Sequence, residues 1–256
     1  FDSKFGFRDY RGGGRSSARE TAARVAAGAI ASKILSSMGI HLTAYTRSIG
    51  PVSISGDHFD PSAISETSTC MPDREADARA SAFLAQCMKE HDSAGGVVEC
   101  VVSGVPAGIG DPVFEKLDAM LSMAVMSIGA VKAVEIGDGI AAASRKGSEN
   151  NDAFYADHGQ IKKKTNHAGG ILGGISDGSE IILRAHFKPT PSIFQKQHTV
   201  TNTLENTELE IKGRHDPVVV PRAVVVVECM TALTILDACM KNMTARLDYL
   251  VDFYQS

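Results

Sequence analysis

The Ala-rich run Ser17 to Met38, with Arg19, Glu20 and Arg24 early and Ile30 and Ile34 four apart, predicts a helix. Ser16 or Ser17 is its expected N-cap, and Gly39 lies just past its end. His41 to Ile49 alternates loosely and predicts a strand, Pro51 to Met71 a loop, and Asp73 to His91 a second helix stopped by Gly95 and Gly96. Val97 to Ser103 reads as a buried strand. Asp111-Pro112 reads as the start of a third helix running to about Ile128, because proline at the first helical position loses no needed N–H. Ala130 to Ile136 and Ile181 to Phe187 are predicted strands, and Thr199 to Lys212 a hairpin with Glu205 and Asn206 near its turn. Gly137 to Gly170 is a long polar excursion containing Lys162, Lys163 and Lys164, a segment expected either to have a job or to be mobile. Beyond Pro221, β-branched Val224 to Val227 compete with the helical spacing of Ala232, Leu233, Leu236 and Met240, and the pattern predicts a helix. Helices and strands in mixed order, with a hairpin and no short repeat, give an α+β or layered β/α architecture.

The chain has 256 residues, of which 43% are hydrophobic and 22% charged, enough for one large core or two small ones. With 26 basic and 30 acidic residues there is no domain-wide basic excess, so nucleic acid is not an expected partner. The apolar stretch Ala223 to Val227 is bounded by Arg222 and Glu228, so no membrane span is expected. Cys70, Cys87, Cys100, Cys229 and Cys239 are an odd number without metal-ligand spacing, which predicts a reduced, cytoplasmic chain and no metal. Phe1 is not the expected natural start, and no signal-peptide pattern follows it.

Four clusters carry candidate chemistry. Arg11-Gly12-Gly13-Gly14-Arg15-Ser16-Ser17-Ala18-Arg19 precedes the first predicted helix. Its close-approaching backbone, helix-start N–H groups, hydroxyls and guanidinium groups are what a phosphate needs. It lacks the Gly-Lys-Ser/Thr ending of a P-loop and the preceding strand of a dinucleotide fingerprint, and a plain glycine hinge is the alternative. The glycine-dense Asn166 to Gly178 suits backbone lying flat against a ring or a neighbouring chain, or a tight turn; His167 alone reads as a structural histidine. Lys188-Pro189-Thr190-Pro191-Ser192 is a proline-stiffened loop carrying an ammonium and two hydroxyls, or a solvated strand exit. In Gly213-Arg214-His215-Asp216-Pro217, with Arg222 beyond, Asp216 can be held ionised as a base or anchor, or can cap the following helix. Six basic against three acidic residues up to Arg24 make the start locally positive in a chain of net charge −4, which points to a small anionic ligand. HExxH does not occur.

Taken in order, the clusters resemble the chorismate synthase family. The matching stretches are DYRGGGRSSARET (Asp9 to Thr21), SGVPAGIGDPVFEKLDA (Ser103 to Ala119), MSIGAVKAVEIGDG (Met126 to Gly139), NHAGGILGGISDG (Asn166 to Gly178), KPTPSI (Lys188 to Ile193) and GRHDP followed by RAV (within Gly213 to Val225). The resemblance implies one α+β domain over residues 1–256, a layered β-α-β sandwich, assembled as a homotetramer. It implies a lyase that converts 5-enolpyruvylshikimate 3-phosphate to chorismate and phosphate by 1,4-anti elimination and requires reduced FMN without net redox change. Some members also use NADPH to reduce the flavin. Flavin contacts would fall on Arg15, Ser16, Ser17, Gly129, Ala130, Gly173, Lys188, Pro189, Thr190, Pro191, Ser192 and Arg214. Arg19 would face the anionic substrate, and Asp216 matches the aspartate that acts with the flavin N5 in removing the ring proton.

The family also has a long N-terminal region that supplies two catalytic histidines and several arginines, and none of the eight histidines here sits in a matching motif. A chain starting at Phe1 is therefore expected to be crippled in turnover and prone to association through exposed apolar faces. The alternative function is a catalytically inactive flavin- or anion-binding fragment. A third reading is a scaffold whose glycine clusters serve only chain contacts. Val218 stands where cysteine is common, Pro191 where a small hydroxyl residue is, and Val226 where proline is. Of these, Pro191 bears on a flavin contact.

Overall fold

The computed structural model describes residues 1–211 and 216–255. Its elements are α1 (Asp2–Phe5), α2 (Thr21–Ser37), β1 (His41–Ile49), β2 (Val52–Ser53), α3 (Ala63–Glu66), α4 (Arg74–Lys89), β3 (Gly96–Ser103), α5 (Leu117–Met126) and β4 (Val131–Ile136). They continue with α6 (Gly147–Asn150), β5 (Phe154–Asp157), β6 (Gln160–Lys163), β7 (Ile171–Leu172), β8 (Ile175–Ser176), β9 (Ile181–Phe187), β10 (Gln197–Val200), β11 (Asn206–Leu209), α7 (Val220–Asn242) and α8 (Leu247–Gln255).

A five-stranded antiparallel sheet in the order β2-β1-β3-β9-β4 forms one layer. β9 shows why it has two faces: Ile181, Leu183, Ala185 and Phe187 are buried, while the alternating Ile182, Arg184 and His186 are half-buried. The buried set meets a helical layer in which α7 packs on β1, β3, α2 and α5. On the opposite face, register lines up Tyr45, Glu99, Arg184 and Glu135 in one row across four strands. Tyr45 Oη donates to Glu99 Oε1, Arg184 Nε donates to Glu99 Oε2 at 2.5 Å, and Arg184 Nη1 donates to the Gly137 carbonyl at 2.7 Å. Burial, reinforced by the Glu99 carboxylate, pushes the Tyr45 phenol up, so it stays a donor. The helical layer leaves Ile30, Ile34, Met38, Met123, Val225 and Met240 exposed, so the described residues build two layers, one sheet and one of helices.

α7 is long and apolar enough to cross a membrane by length and composition, contrary to the exclusion drawn from Arg222 and Glu228. Half of its most apolar span is buried against the sheet and neighbouring helices, as in the core helix of a globular domain. α2 crosses it at Gly28, where a Cβ would stand 2.2 Å from Cys229 Cβ. The absent side chain is what lets the two backbones meet.

β1 and β9 fall where periodicity puts them, and Asp73 caps α4 by accepting from the backbone N–H groups of Glu75 and Ala76, each at 3.0 Å. The third helix departs from expectation. Pro112 does not open it, because Gly110 and Val113 have φ of 105° and 70° and the chain turns until Leu117, whose N–H donates to Gly174 O at 2.8 Å. The polar excursion after β4 holds α6 and the β5–β6 hairpin, and the hairpin of β10 and β11 turns through Thr201–Glu205, with Asn206 already paired to Val200. All five cysteines are free.

β1 has only β2 on its outer side, and its N–H groups there find other acceptors: Thr46 N donates to Cys70 O at 2.9 Å and Ala44 N to Glu228 Oε2 at 3.1 Å. Burial holds the Glu228 carboxyl above its ordinary value, against the opposing effect of the Ala44 N–H. The folded state therefore binds that proton more tightly than the unfolded chain does, and ionisation costs stability as pH rises. Urea unfolding should show the wild type losing stability relative to Glu228→Gln as pH increases from about 4 to 7; the opposite trend contradicts this assignment. Gly28→Ala should cost about 2 kcal/mol by the same measurement, the scale of overpacking a tight crossing.

Candidate active site

The segment before α2 coils into two 3-10 turns, Gly14–Ser16 and Ala18–Glu20. Neither serine caps a helix with its side chain, contrary to expectation: Ser16 Oγ instead donates to Gly13 O at 2.6 Å. Arg11 is held by Asp9 through Nε and Nη2, both at 2.9 Å. Arg15 and Arg19 are exposed, and no carboxylate among the described residues pairs with them.

The turn between α5 and β4 carries Gly129 and Ala130, and the exit from β9 carries Lys188 to Ser192. Lys188 N donates to Ala130 O at 3.0 Å, which joins the two segments at one end of the sheet. Ala130 sits at φ 73°, a left-handed conformation that costs a residue with a Cβ and that the surrounding ladder imposes. A Cβ placed on Gly129 would meet nothing within 4 Å, so backbone faces open space there. Ser93 Oγ donates to Thr190 O at 2.8 Å, and Pro191 O accepts from Gln197 Nε2 at 3.3 Å. Ser192 is half-buried, and Pro189 lies against Gly95. Thr190 Oγ1 is buried without a hydrogen-bond partner among the described residues. An orphaned buried hydroxyl is uncommon unless something else completes it.

Asp216 enters beside this loop. Pro217 O accepts from Ala94 N at 2.7 Å, and Ala94 bridges to Val218, next to the Ser93 that holds Thr190. Asp216 does not cap α7: Val219 stands at the N-cap without a side-chain bond, and Pro221 is in the first turn. The carboxylate instead meets Arg222 in a two-pronged pair, Nη1 to Oδ2 at 2.9 Å and Nη2 to Oδ1 at 3.1 Å. Arg214 lies outside the described residues.

Gly173 lies on a separate turn. It sits in the β7–β8 turn, whose Gly174 carbonyl receives Leu117 N at the start of α5, whereas Gly129 follows the other end of that helix. α5 itself, 10 residues long, spans about 15 Å. Below that turn, Lys163 Nζ donates to Asp177 Oδ2 at 2.7 Å and Asn166 Oδ1 at 3.0 Å and lies 3.4 Å from Asp152 Oδ2, with all three charged side chains under 10% exposed. Burial raises the Asp152 carboxyl. Hydrogen bonds from Ala168 N, Thr165 Oγ1 and His167 N and the Lys163 charge outweigh it and bring the carboxyl down to about 2. His167 Nδ1 lies 2.7 Å from Asp138 Oδ2.

The chorismate synthase family profile matches residues 1–240. The chain belongs to the chorismate synthase family. The chorismate synthase of Agathobacter rectalis is 60% identical over 255 residues, covering 100% of this chain and 70% of that protein. That of Archaeoglobus fulgidus is 54% identical over 241 residues, covering 93% of this chain and 67% of that protein. A crystal structure of chorismate synthase superposes with a TM-score of 0.76 at 29% identity, covering 93% of this chain and 68% of that one. Membership in the chorismate synthase family makes the protein a lyase of α+β fold.

Sequence reasoning passed over two ties in this chorismate synthase fold. The Arg24–Glu20 pair was legible as an i,i+4 spacing, but its reach to Ser127 was not. Lys163, noted in the sequence only as one of three lysines in the polar excursion, is buried between two aspartates by the fold.

Because the Asp152 carboxyl is depressed on folding, the stability it contributes is full above about 4 and is lost as pH falls toward about 2. Lys163→Met leaves two buried carboxylates without a cation and should cost about 3 kcal/mol at pH 7 in urea unfolding, with a smaller loss at about pH 3. A loss independent of pH contradicts the electrostatic reading.

Proposed function

We propose that the protein catalyses the 1,4-anti elimination of phosphate from 5-enolpyruvylshikimate 3-phosphate to give chorismate, with reduced FMN as cofactor. The observation that carries the reading is the convergence of Ala130, Lys188, Thr190 and Asp216 on one end of the sheet, together with three cations, Arg15, Arg19 and Lys188, for which the described residues offer no carboxylate. These residues fit a flavin mononucleotide. Unpaired guanidinium and ammonium groups match an anionic tail, the open backbone at Gly129 matches a flat ring, and the orphaned Thr190 hydroxyl lacks only a polar partner.

Arg15, Ser16 and Ser17 would hold the cofactor's phosphate, and Gly129, Ala130 and Lys188 to Ser192 its ring system, with Arg214 and Gly173 completing the set. When bound, reduced FMN supplies electron density that assists departure of the substrate phosphate. Arg19 would orient the anionic substrate. Asp216 would take the ring proton, its carboxylate aimed by the Arg222 fork. A water-poor pocket would strengthen each of these electrostatic contacts. Residues 1–256 would form one domain of a homotetramer in the cytoplasm, a compartment supported by five free cysteines. Family membership favours this enzyme over a flavin- or anion-binding module without chemistry.

Anaerobic phosphate release from 5-enolpyruvylshikimate 3-phosphate should occur with reduced FMN and not with oxidised FMN. Asp216→Asn should lower turnover at least ~100-fold while leaving flavin affinity within about threefold, the scale of a lost general base. Release that ignores the flavin's redox state, or full turnover by Asp216→Asn, overturns the assignment; flavin binding without any release selects the inactive flavin-binding fragment instead.

A further inference from the structure

The donors at Arg15 to Arg19 and the backbone at Gly129–Ala130 belong to segments far apart in sequence, and one side chain spans the gap between them. Arg24, in the first turns of α2, donates from Nε to Glu20 Oε2 at 2.9 Å and from Nη1 to Ser127 Oγ at 2.6 Å, with Met230 Sδ of α7 at 3.9 Å from the same nitrogen. Ser127 closes α5 by donating to Ala124 O at 2.6 Å, and Gly129 lies two residues further on. Glu20 ends the 3-10 turn that carries Arg19. Upstream of it the chain is exposed from Phe1 to Arg19 apart from half-buried Ser17, so little packing fixes that segment to the body. The Arg24 side chain is itself only 26% exposed and its guanidinium is already engaged, so its part is to locate other groups.

We propose that Arg24 is a positioning residue that sets the distance between the anion-binding segment Arg15–Arg19 and the Gly129–Ala130 backbone, and so selects flavins that carry a phosphate. The inference rests on the flavin reading above. Charge-assisted hydrogen bonds to Glu20 and Ser127 hold a planar guanidinium in one orientation, and an ammonium on a flexible stem reproduces only part of that.

The test is flavin fluorescence titration with FMN and with riboflavin, which lacks the phosphate, alongside thermal unfolding of each variant. Arg24→Met should weaken FMN binding about tenfold and change riboflavin binding less than about twofold, as expected when only the phosphate contacts are displaced. Arg24→Lys should fall in between. Ser127→Ala, which keeps Arg24 and removes its acceptor, should move affinity the same way, and the double variant should be no worse than Arg24→Met, because both changes break one tie. Equal weakening of FMN and riboflavin, or unchanged FMN affinity, overturns the proposal. Arg15→Ala separates the two levels. If it weakens FMN while Arg24→Met does not, the positioning role is wrong and the flavin site stands. If the unmodified protein binds no FMN, both fall together.

Discussion

The architecture depends on one close crossing, that of α2 over α7 at Gly28 and Cys229. α7 is the spine of the helical layer and lies on β1 and β3, so whatever fixes α2 to α7 also fixes the segment before α2 relative to the sheet. Without a Cβ at residue 28 the backbones approach closely enough for Cys229 Sγ to lie 3.6 Å from Val25 O, and for Arg24, one residue earlier, to reach Met230 and Ser127. The exposed donors at Arg15 and Arg19 thus inherit their position from a contact made in the core.

The sheet contributes the other part of the site through its ends. Alternation in β9, and Val98, Cys100 and Val102 buried opposite Glu99 in β3, give one face to the helices and the other to the Tyr45–Glu99–Arg184–Glu135 row, which fixes the register. With register fixed, the exits of β9 and the entrance of β4 coincide, and Lys188 meets Ala130 across them. The proposed site lies where the ladder ends and backbone groups are released from pairing. The left-handed Ala130 and the unpartnered Thr190 hydroxyl both occur there.

Much of this was legible in the chain. The period-two pattern of Ile181 to Phe187 needed no tertiary context, and the site clusters stood out because glycine, proline and unpaired cations are conspicuous next to predicted element ends. What failed did so for tertiary reasons. The Asp111-Pro112 start signal lost to the packing of Gly110 and Leu117 against the Gly174 turn, which local propensity does not contain. α7 was bounded by its charges in the sequence, yet Glu228 is accommodated by the outer N–H of Ala44 and interrupts nothing. Lys163 and Arg24 owe their roles to partners distant in sequence. Val218, Pro191 and Val226 fit without distortion, since Val218 and Val226 are buried in the core and only the backbone of Pro191 is engaged.

The central claim is that the Arg15–Arg19 turns, the Gly129–Ala130 backbone and the Lys188–Ser192 loop make one flavin phosphate and ring site beside Asp216. A crystal structure of the protein grown with FMN tests it most directly. The account predicts the phosphate on Arg15, Ser16 and Ser17, the ring against Gly129–Ala130, a flavin polar atom within hydrogen-bond reach of Thr190 Oγ1, and the Asp216 carboxylate facing the ring. Flavin bound at the Gly173 turn with the Arg15 and Lys188 side chains left free would contradict it.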